Sequence, residues 1–598
     1  MTLRLRPPSW VTVAALAIVV GQLVLRGVLV GRSWFLVDDH LFMADIARGE
    51  DDLAWYTRLH QGHFMPVSFL LVKLVVAVSE PYAWAPVVVE VVALQGLASL
   101  ACWWMLRTLF GPGRAALAGL VVYTTTALTM PSLMWWAVAI NQYPHQVAFF
   151  GAVTAHVLFA RTRRLRWVAA AGLFLLLGYT TYAKTGLVVV TLALLTLVWL
   201  VQGTPWDRFW RALRGFWVAW AVYGALSLTW LAIYLTRPQP ALPGSSSQFL
   251  GLSQAQLFEA TLPSLLGGPL RWSPFAAGPV QFADPPLWLV VAATVVVAVV
   301  LLVSWGTWER SLLVLWPVGV YMLASALLVY TGRAYTIGLL GGGGIGRHVQ
   351  YLADAAPLLV LAGVALFRPV LGVADPVVAR TVPVVRLGVP RAVPYVVVGV
   401  VALGGVASSV VYSGPWRTFE ERVTTTRAVA ELRSTDDVVL VDALVPASVL
   451  APLFGEKALV RNFFAMLDDR FSTSTAAVDL RTFDDTGRLA PADVDPVPDA
   501  TPAPDLDGCV DVGPTGRRLR ITPPPTLGAW LAVEYSSLRP ATVSVGGVGV
   551  TQVGIDAPPG RHRLLVAAPR PRSSVVVTAP AEAVLCVRRA EYGLVGPE

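Results

Sequence analysis

Charge is scarce in this sequence of 598 residues: Asp, Glu, Lys and Arg together make up 14% of it, against about 25% in an ordinary soluble domain. Lysine is nearly absent, and most of the cations are arginines. Hydrophobic residues reach 56%, and 22 tryptophans are present, a residue that anchors proteins at membrane–water interfaces. This composition excludes a string of soluble domains and predicts a membrane protein with many spans.

Cysteine is equally scarce, with three residues in the whole chain. Cys102 lies in an apolar run and is expected to be a small buried hydrophobe. Cys509 and Cys586 both lie in the C-terminal region and can pair if that region is extracytoplasmic, although two cysteines do not by themselves establish a disulfide.

No small-residue cleavage signature ends the first apolar run, although Arg4 and Arg6 precede it. We therefore expect a retained span from about Trp10 to Val30 rather than a signal peptide. The net charge of +8 comes from arginines clustered between apolar runs. That pattern indicates membrane topology rather than a nucleic-acid partner.

The basic connections between apolar runs determine the predicted membrane topology, because Lys and Arg accumulate on cytoplasmic loops. Three connections contain Arg161, Arg163, Arg164 and Arg166; Arg208, Arg211 and Arg214; and Arg380, Arg386 and Arg391. A span needs about 20 apolar residues, and the run Phe64 to Val78 is short and contains Lys73, so we interpret it as a juxtamembrane helix. The sequence then predicts about eleven spans, a cytoplasmic N-terminus and extracytoplasmic loops at 33–63, 237–286 and 331–356.

Residues 413–598 differ in kind from the membrane module of residues 1–412 and are expected to form an extracytoplasmic α/β and β-sandwich domain. A helix is predicted over Phe419 to Arg433 and a strand over Val438 to Val441. The Pro- and Asp-rich stretch Ala490 to Asp507 is typical of a linker or long loop. Short alternating runs follow, typical of a small β-sandwich: Trp530 to Tyr535, Thr542 to Val545, Arg563 to Val566 and Ser574 to Val577.

Two adjacent carboxylates, Asp38 and Asp39, follow the first span directly. Charged side chains this close to the hydrocarbon core are energetically costly, so a catalytic or structural role is expected for them. One reason is catalysis, with a general base that deprotonates an acceptor hydroxyl while its neighbour positions a cation or donor group. The other is structural, since Asp is a favoured N-cap and a helix is expected to begin at Leu41.

This arrangement resembles the GT-C superfamily of membrane glycosyltransferases, of the bacterial and actinobacterial type, which place an Asp-Asp or Asp-Glu pair in their first extracytoplasmic loop. The segment from His63 to Pro66 is similar to the family's segment ending in Arg-Pro-Leu, but Met65 and Val67 replace its Arg and Leu. The resemblance implies a polytopic helical fold. It also implies inverting transfer of a sugar from a polyprenyl-phosphate donor to an envelope hydroxyl, with Asp39 or Asp38 as the base.

A late predicted loop contains four glycines followed by Arg347 and His348. A planar guanidinium is suited to a phosphate, and the resemblance implies that Arg347 binds the donor phosphate, with His348 beside it. Lys184, at the outer boundary of a span, is a second candidate. Both cations can instead be residues that snorkel to the interface. The glycines are not a nucleotide loop, because no strand–Gly–helix context with Lys-Ser/Thr exists.

Further polar and aromatic residues are expected on the outer face, as sugar-binding candidates or as an interface belt: His40, His63, Trp136, Asn141, His145 and Tyr351. No zinc-ligand spacing is present. No cofactor is required, although a divalent cation (Mg, Mn or Ca) at Asp38 and Asp39 is left open.

Two other classes of protein remain open. One is a transporter or flippase for a lipid-linked glycan, a class in which inverted repeats are common, but the two halves show no repeat. The other is a non-catalytic envelope assembly protein. The Ala-, Val-, Arg- and Pro-rich composition suggests a GC-rich bacterium. We expect a multi-pass inner-membrane protein whose partners are a polyprenyl-phosphate-linked sugar, an envelope glycan acceptor and membrane lipids, with no nucleic acid.

Overall fold

The computed structural model describes residues 10–236, 246–275, 278–384, 390, 392–446, 449–467, 469–496, 508–522, 529–547, 550–568 and 573–598. The predictions for Arg4, Arg6, Arg386, Arg391 and residues 497–507 lie outside these ranges. The chain divides into two compact units. The first contains Met1–Asp39 and Glu50–Phe419, and the second contains His40–Gly49 and Glu420–Glu598.

The first unit is helical, because a helix satisfies every backbone N–H and C=O within its own segment, as hydrocarbon requires. Its helices, with α2 continuing into the second unit, are α1 (Trp10–Val30), α2 (Asp38–Ala47), α3 (Leu53–Thr57), α4 (Pro66–Val78), α5 (Trp84–Phe110), α6 (Arg114–Thr125), α7 (Met130–Met134), α8 (Trp136–Thr162), α9 (Arg166–Tyr179), α10 (Gly186–Leu195), α11 (Pro205–Gly215), α12 (Trp217–Leu235), α13 (Ser246–Gln254), α14 (Leu262–Leu265), α15 (Leu287–Thr307), α16 (Leu315–Gly332), α17 (Ala334–Gly346), α18 (Ala356–Ala365), α19 (Val393–Tyr412) and α20 (Gly414–Arg417). Three short antiparallel pairs connect them: β1 (Leu59–His60) with β2 (His63–Phe64), β3 (Trp272–Pro274) with β4 (Gln281–Ala283), and β5 (Trp308–Glu309) with β6 (Val378–Ala379).

Seven helical segments among the described residues are long and apolar enough to cross a membrane, or nine if each of two bent pairs is one span. The chain is therefore a multi-pass membrane protein, but the predicted eleven spans are not confirmed. One difference is α8, which is 27 residues long and buries polar side chains such as Gln142 and Gln146, and which is not among the candidate spans. Helix α4 has only 13 residues, in keeping with the predicted juxtamembrane helix.

The second unit is rich in strands. Its remaining helices are α21 (Glu420–Ser434) and α22 (Val460–Phe463). Its strands are β7 (Val438–Val441), β8 (Phe471–Ser474), β9 (Ala476–Val478), β10 (Arg481–Phe483), β11 (Leu489–Pro496), β12 (Val510–Val512), β13 (Arg517–Arg520), β14 (Ala529–Ser537), β15 (Ala541–Gly547), β16 (Val550–Ala557), β17 (Gly560–Ala568), β18 (Ser574–Thr578) and β19 (Leu585–Pro597).

These strands form two sheets. The larger has the order β8-β7-β10-β11-β19-β14-β17-β9, with β12 also paired to β19, and the smaller has the order β13-β18-β15-β16. Residues from both sheets, such as Leu531 and Val575, share one buried cluster, so the later part is a β-sandwich. Cys509 and Cys586 are joined in a disulfide, with Cα atoms 5.3 Å apart.

The expectation of a linker from Ala490 to Asp507 was wrong for its first residues. Strand β11 occupies Leu489–Pro496 and pairs with both β10 and β19. Its Val494 is buried in a cluster that includes Leu565. Proline is typical of loops, but a strand accepts proline where no ladder N–H is required.

Candidate functional site

The two adjacent carboxylates of the first loop have different surroundings. Asp39 is completely buried. Its Oδ2 accepts the backbone N–H of Leu36 at 2.8 Å, and its Oδ1 accepts the backbone N–H of Ala137 at 2.8 Å. Because backbone donors engage both oxygens, Asp39 ties the loop to the start of α8.

Asp38 is the first residue of α2, and its side chain keeps 16% of its surface exposed. Its Oδ1 lies 3.2 Å from Nε2 of His60. The preceding Val37 has a φ of 37°, a positive value that strains a β-branched residue and that is typical of functional sites. Of the two acids, Asp38 is the one with an accessible carboxylate beside an imidazole.

A short hairpin positions this imidazole. Strands β1 and β2 place His60 opposite His63. The two residues between them, Gln61 and Gly62, have φ values of 50° and 80°. Positive φ at both central residues is the signature of a type I′ turn, whose twist matches the flanking strands. The turn therefore holds the two histidines side by side.

On the other side of the hairpin, His63 contacts an aromatic ring and a cation. Its ring stacks on Tyr182 with centroids 4.9 Å apart and planes at 13°, and its Nε2 lies 3.5 Å from Nη2 of Arg333. Burial, and secondly the Arg333 cation, hold the pKa of His63 well below its usual value. A neutral imidazole follows at physiological pH.

Arg333 follows α16 directly and binds the hairpin. Its Nη1 donates to the backbone oxygen of Gln61 at 3.1 Å and to the side-chain oxygen at 3.2 Å. Its guanidinium lies over the ring of Tyr351, 5.5 Å from the centroid. No ion pair found within the described ranges includes Arg333. Sequence reasoning missed this residue, although it falls in the predicted loop 331–356; the one signal was a lone cation at the end of an apolar run.

Lys184 is buried in a polar network within the same unit. Its ammonium donates to Asp354 Oδ1 at 2.9 Å, to Ser325 Oγ at 2.8 Å and to the backbone oxygen of Tyr351 at 2.6 Å. Tyr321 donates to the other oxygen of Asp354 at 2.8 Å. An ammonium has three donors, and all three are used. This geometry does not support the expected contact of Lys184 with a donor phosphate.

Arg347 and His348, the predicted phosphate-binding residues of the late loop, both contact other side chains. Arg347 Nε lies 3.8 Å from Glu259 Oε2, and its side chain is one third exposed. The guanidinium also lies over the ring of Phe282, 5.9 Å from its centroid. His348 is buried, with the rings of Phe282 and Tyr351 at 5.2 and 5.1 Å.

The predicted sugar-binding residues separate into two groups. His63 and Tyr351 lie together around Arg333. The others are buried and bonded to interior partners: Trp136 to Glu90 at 2.7 Å, Asn141 to Met65 at 3.9 Å, His145 to Thr185 at 3.1 Å and, in the second unit, His40 to Glu421 at 2.6 Å. Their geometry favours structural roles.

No group of three or more His, Cys, Asp or Glu side chains suited to a metal ion occurs in the part of the chain that the structure describes. Asp38 and His60 are the side chains that the first-loop site offers to a divalent cation.

No family model and no curated protein matches the chain. Among solved structures it is similar to the arabinofuranosyltransferase AftD from Mycobacteria, with 12% identity and a TM-score of 0.35 over 98% of this chain and 60% of that chain. It is also similar to the arabinosyltransferase EmbB from Mycobacterium smegmatis, with 12% identity and a TM-score of 0.31 over 100% of this chain and 66% of that chain. The chain thus spans less than two thirds of these proteins. TM-scores this low establish neither a common function nor a common site.

Proposed function

We propose that this membrane protein is a glycosyltransferase that moves a sugar from a polyprenyl-phosphate donor to a hydroxyl of a cell-envelope glycan, with Asp38 as the general base. The observation that carries the proposal is the difference between the two acids. Asp39 is locked by two backbone N–H groups, whereas Asp38 keeps a partly exposed carboxylate 3.2 Å from His60.

In the proposed reaction the acceptor hydroxyl attacks the anomeric carbon and gives its proton to Asp38. The bond between the anomeric carbon and the phosphate oxygen breaks, the polyprenyl phosphate leaves with the electron pair, and the configuration at the anomeric carbon inverts. His60, 3.2 Å away, positions the carboxylate for the proton transfer. A lipid donor is consistent with a site next to membrane helices in a chain without a nucleotide-binding motif.

The leaving phosphate needs cationic stabilisation rather than an acid, and we assign this role to Arg333. Its planar fork is suited to phosphate oxygens, and it lies against the same hairpin that contacts Asp38. Arg347 is a second candidate, although it shares its charge with Glu259. Lys184 is left out because its three donors are engaged.

Flat rings next to this cation offer stacking surfaces for a sugar. His63, Tyr182 and Tyr351 surround Arg333, and aromatic faces pack well on the C–H faces of sugars. The proposed reaction requires no divalent cation, because Asp38 accepts the proton of the acceptor hydroxyl directly.

The test uses the full chain in lipid vesicles with a radiolabelled polyprenyl-phosphate sugar and an envelope glycan acceptor. Transfer predicts label covalently attached to the glycan and release of unlabelled polyprenyl phosphate. A transporter instead predicts intact labelled donor on the opposite side of the bilayer. Intact donor with no new glycoside, over a range of donor sugars, would refute the proposal.

A further inference from the structure

Helix α11 has an exposed aromatic face although it is not a candidate span. Its N-terminus is fixed by a capping box in which Thr204 and Asp207 bond each other's backbone N–H, with Pro205 at the first position. Four side chains at helical spacing form one apolar face: Trp206, Phe209, Trp210 and Leu213. Trp206 is 67% exposed and stacks on Phe209 at 6.0 Å. A face of this kind marks contact with another molecule or a membrane.

One arginine of α11 fixes the helix against the rest of the first unit. Arg208 donates to the backbone oxygens of Leu197 at 2.7 Å and Val201 at 2.8 Å, and it forms an ion pair with Asp375. Because Arg208 is held inward, the aromatic face stays outward. The next arginines on this side, Arg211 and Arg214, are exposed.

A second basic segment lies next to the end of α11. Arg163, in the turn between α8 and α9, donates to the backbone oxygen of Gly215 at 2.7 Å and lies over the ring of Phe216 at 4.6 Å. The same turn exposes Arg164 and Arg166. The two segments therefore form one continuous surface, called here the arginine–tryptophan surface, which consists of Arg163, Arg164, Arg166, Trp167, Trp206, Phe209, Trp210, Arg211, Leu213 and Arg214.

The charge of this surface is almost uncompensated. The surface contains five arginines, and the segments that form it, residues 161–167 and 204–217, include a single carboxylate, Asp207, which is engaged in the capping box. Two guanidiniums lie over tryptophans, Arg166 over Trp167 at 5.1 Å and Arg214 over Trp210 at 5.3 Å. Rings that insert among acyl chains beside cations at headgroup depth are the pattern by which amphipathic helices bind anionic membranes.

We propose that the arginine–tryptophan surface binds the headgroups of anionic glycerophospholipids. The guanidiniums pair with the phosphodiester and the aromatic rings with the upper acyl chain. The leaflet concerned is the one that the basic connections face, which is the cytoplasmic leaflet under the positive-inside rule. This site is separate from the proposed sugar-transfer site, and its existence does not depend on that activity.

The test is a titration of the detergent-solubilised full chain with a fluorescent short-chain phosphatidylglycerol, read by anisotropy, beside the matched phosphatidylcholine. The variant combines Arg164→Gln, Arg166→Gln and Arg214→Gln. The control removes three equally charged side chains from strand β13 of the other unit: Arg517→Gln, Arg518→Gln and Arg520→Gln. Each basic residue near a membrane surface is expected to contribute about fivefold in affinity, so the first variant should lose on the order of 100-fold while the control stays near the native value.

A variant with Lys at the same three positions keeps the charge and should recover most of the affinity. Equal binding of phosphatidylcholine and phosphatidylglycerol by the native chain would overturn the proposal. Equal losses in the Arg164/Arg166/Arg214 variant and in the β13 control would also overturn it, since they would show a net-charge effect without a site.

Discussion

Replacement of Glu421 by Gln should change how the stability of the second unit depends on pH. Glu421 Oε1 lies 2.6 Å from His40 Nε2, and both side chains are almost completely buried. The His40 ring also packs on Phe463 at 4.6 Å. Burial lowers the pKa of His40 to about 3 and raises the pKa of Glu421 well above its ordinary 4.5. Both shifts favour a pair that shares one proton, with a carboxyl group that donates to a neutral imidazole.

The sign of the effect follows from these two shifts. The depressed pKa of His40 gives stability that is fully present above pH 6.5 and is lost as the pH falls toward 3. The raised pKa of Glu421 gives stability that is fully present below pH 4.5 and is lost as the pH rises toward its folded pKa. Between pH 4.5 and 6.5 the contributions of His40 and Glu421 to the pH dependence of the free energy of unfolding have opposite signs and cancel. Above pH 6.5 only the Glu421 contribution remains, and it lowers the free energy of unfolding by about 1.4 kcal/mol per pH unit up to the folded pKa of Glu421.

Glu421→Gln keeps a donor for His40 but removes the titration of residue 421. Relative to the native chain, the variant should therefore gain about 1.4 kcal/mol per pH unit between pH 4.5 and the folded pKa of Glu421. Hydrogen exchange of the α21 amides in the full chain, at pH 5, 6 and 7, measures this difference. Glu420→Gln, at the exposed neighbouring position, is the control. A stability difference between Glu421→Gln and the native chain that does not change with pH would refute a shared proton.

Three further predictions concern other contacts. Lys184→Met should lower the free energy of unfolding by about 3–5 kcal/mol, because it leaves Asp354 as a buried unpaired charge. Adding Asp354→Leu should recover most of this loss, as measured by thermal unfolding. A Lys184→Met variant with unchanged stability that no longer uses the lipid-linked sugar donor would contradict this prediction. Replacing both Cys509 and Cys586 by Ala removes the disulfide that closes a loop of 77 residues, and it should lower the free energy of unfolding in denaturant by about 4 kcal/mol. An unchanged midpoint of the denaturant unfolding curve would show that the disulfide does not stabilise the fold. Arg333→Gln should lower kcat/KM for the lipid donor at least tenfold, because it removes the cation assigned to the leaving phosphate, while leaving the KM for the acceptor unchanged. A fall in kcat/KM for the donor matched by an equal rise in the KM for the acceptor would indicate a structural role.

The C-terminal elements were accessible to sequence reasoning because their patterns are local. The structure has β7 at Val438–Val441 and α21 at Glu420–Ser434, within one residue of the predicted bounds. The span count was less accessible, since bends within two apolar runs and the buried polar face of α8 depend on tertiary packing. The strand at Leu489–Pro496 was missed because its pairing with β19 joins residues about one hundred positions apart.

The site was only partly predictable for the same reason. The sequence singles out Asp38 and Asp39 as costly charges near a membrane but cannot distinguish them. Their difference arises from the bond between Asp39 and Ala137, 98 positions away. The sequence suggests Lys184 as a phosphate ligand, and it does not reveal that Lys184 binds Asp354, 170 positions away.

The most direct test of the central claim compares the turnover of Asp38→Asn and Asp39→Asn in sugar transfer, with the folded fraction of each measured alongside. Asp38→Asn should fold normally and lose about 10²–10⁴-fold in kcat, the usual contribution of a general base. Asp39→Asn loses one backbone acceptor and should lower stability by about 1–3 kcal/mol, while its folded fraction keeps a near-native kcat. A folded Asp38→Asn variant that transfers sugar at the native rate would contradict the account.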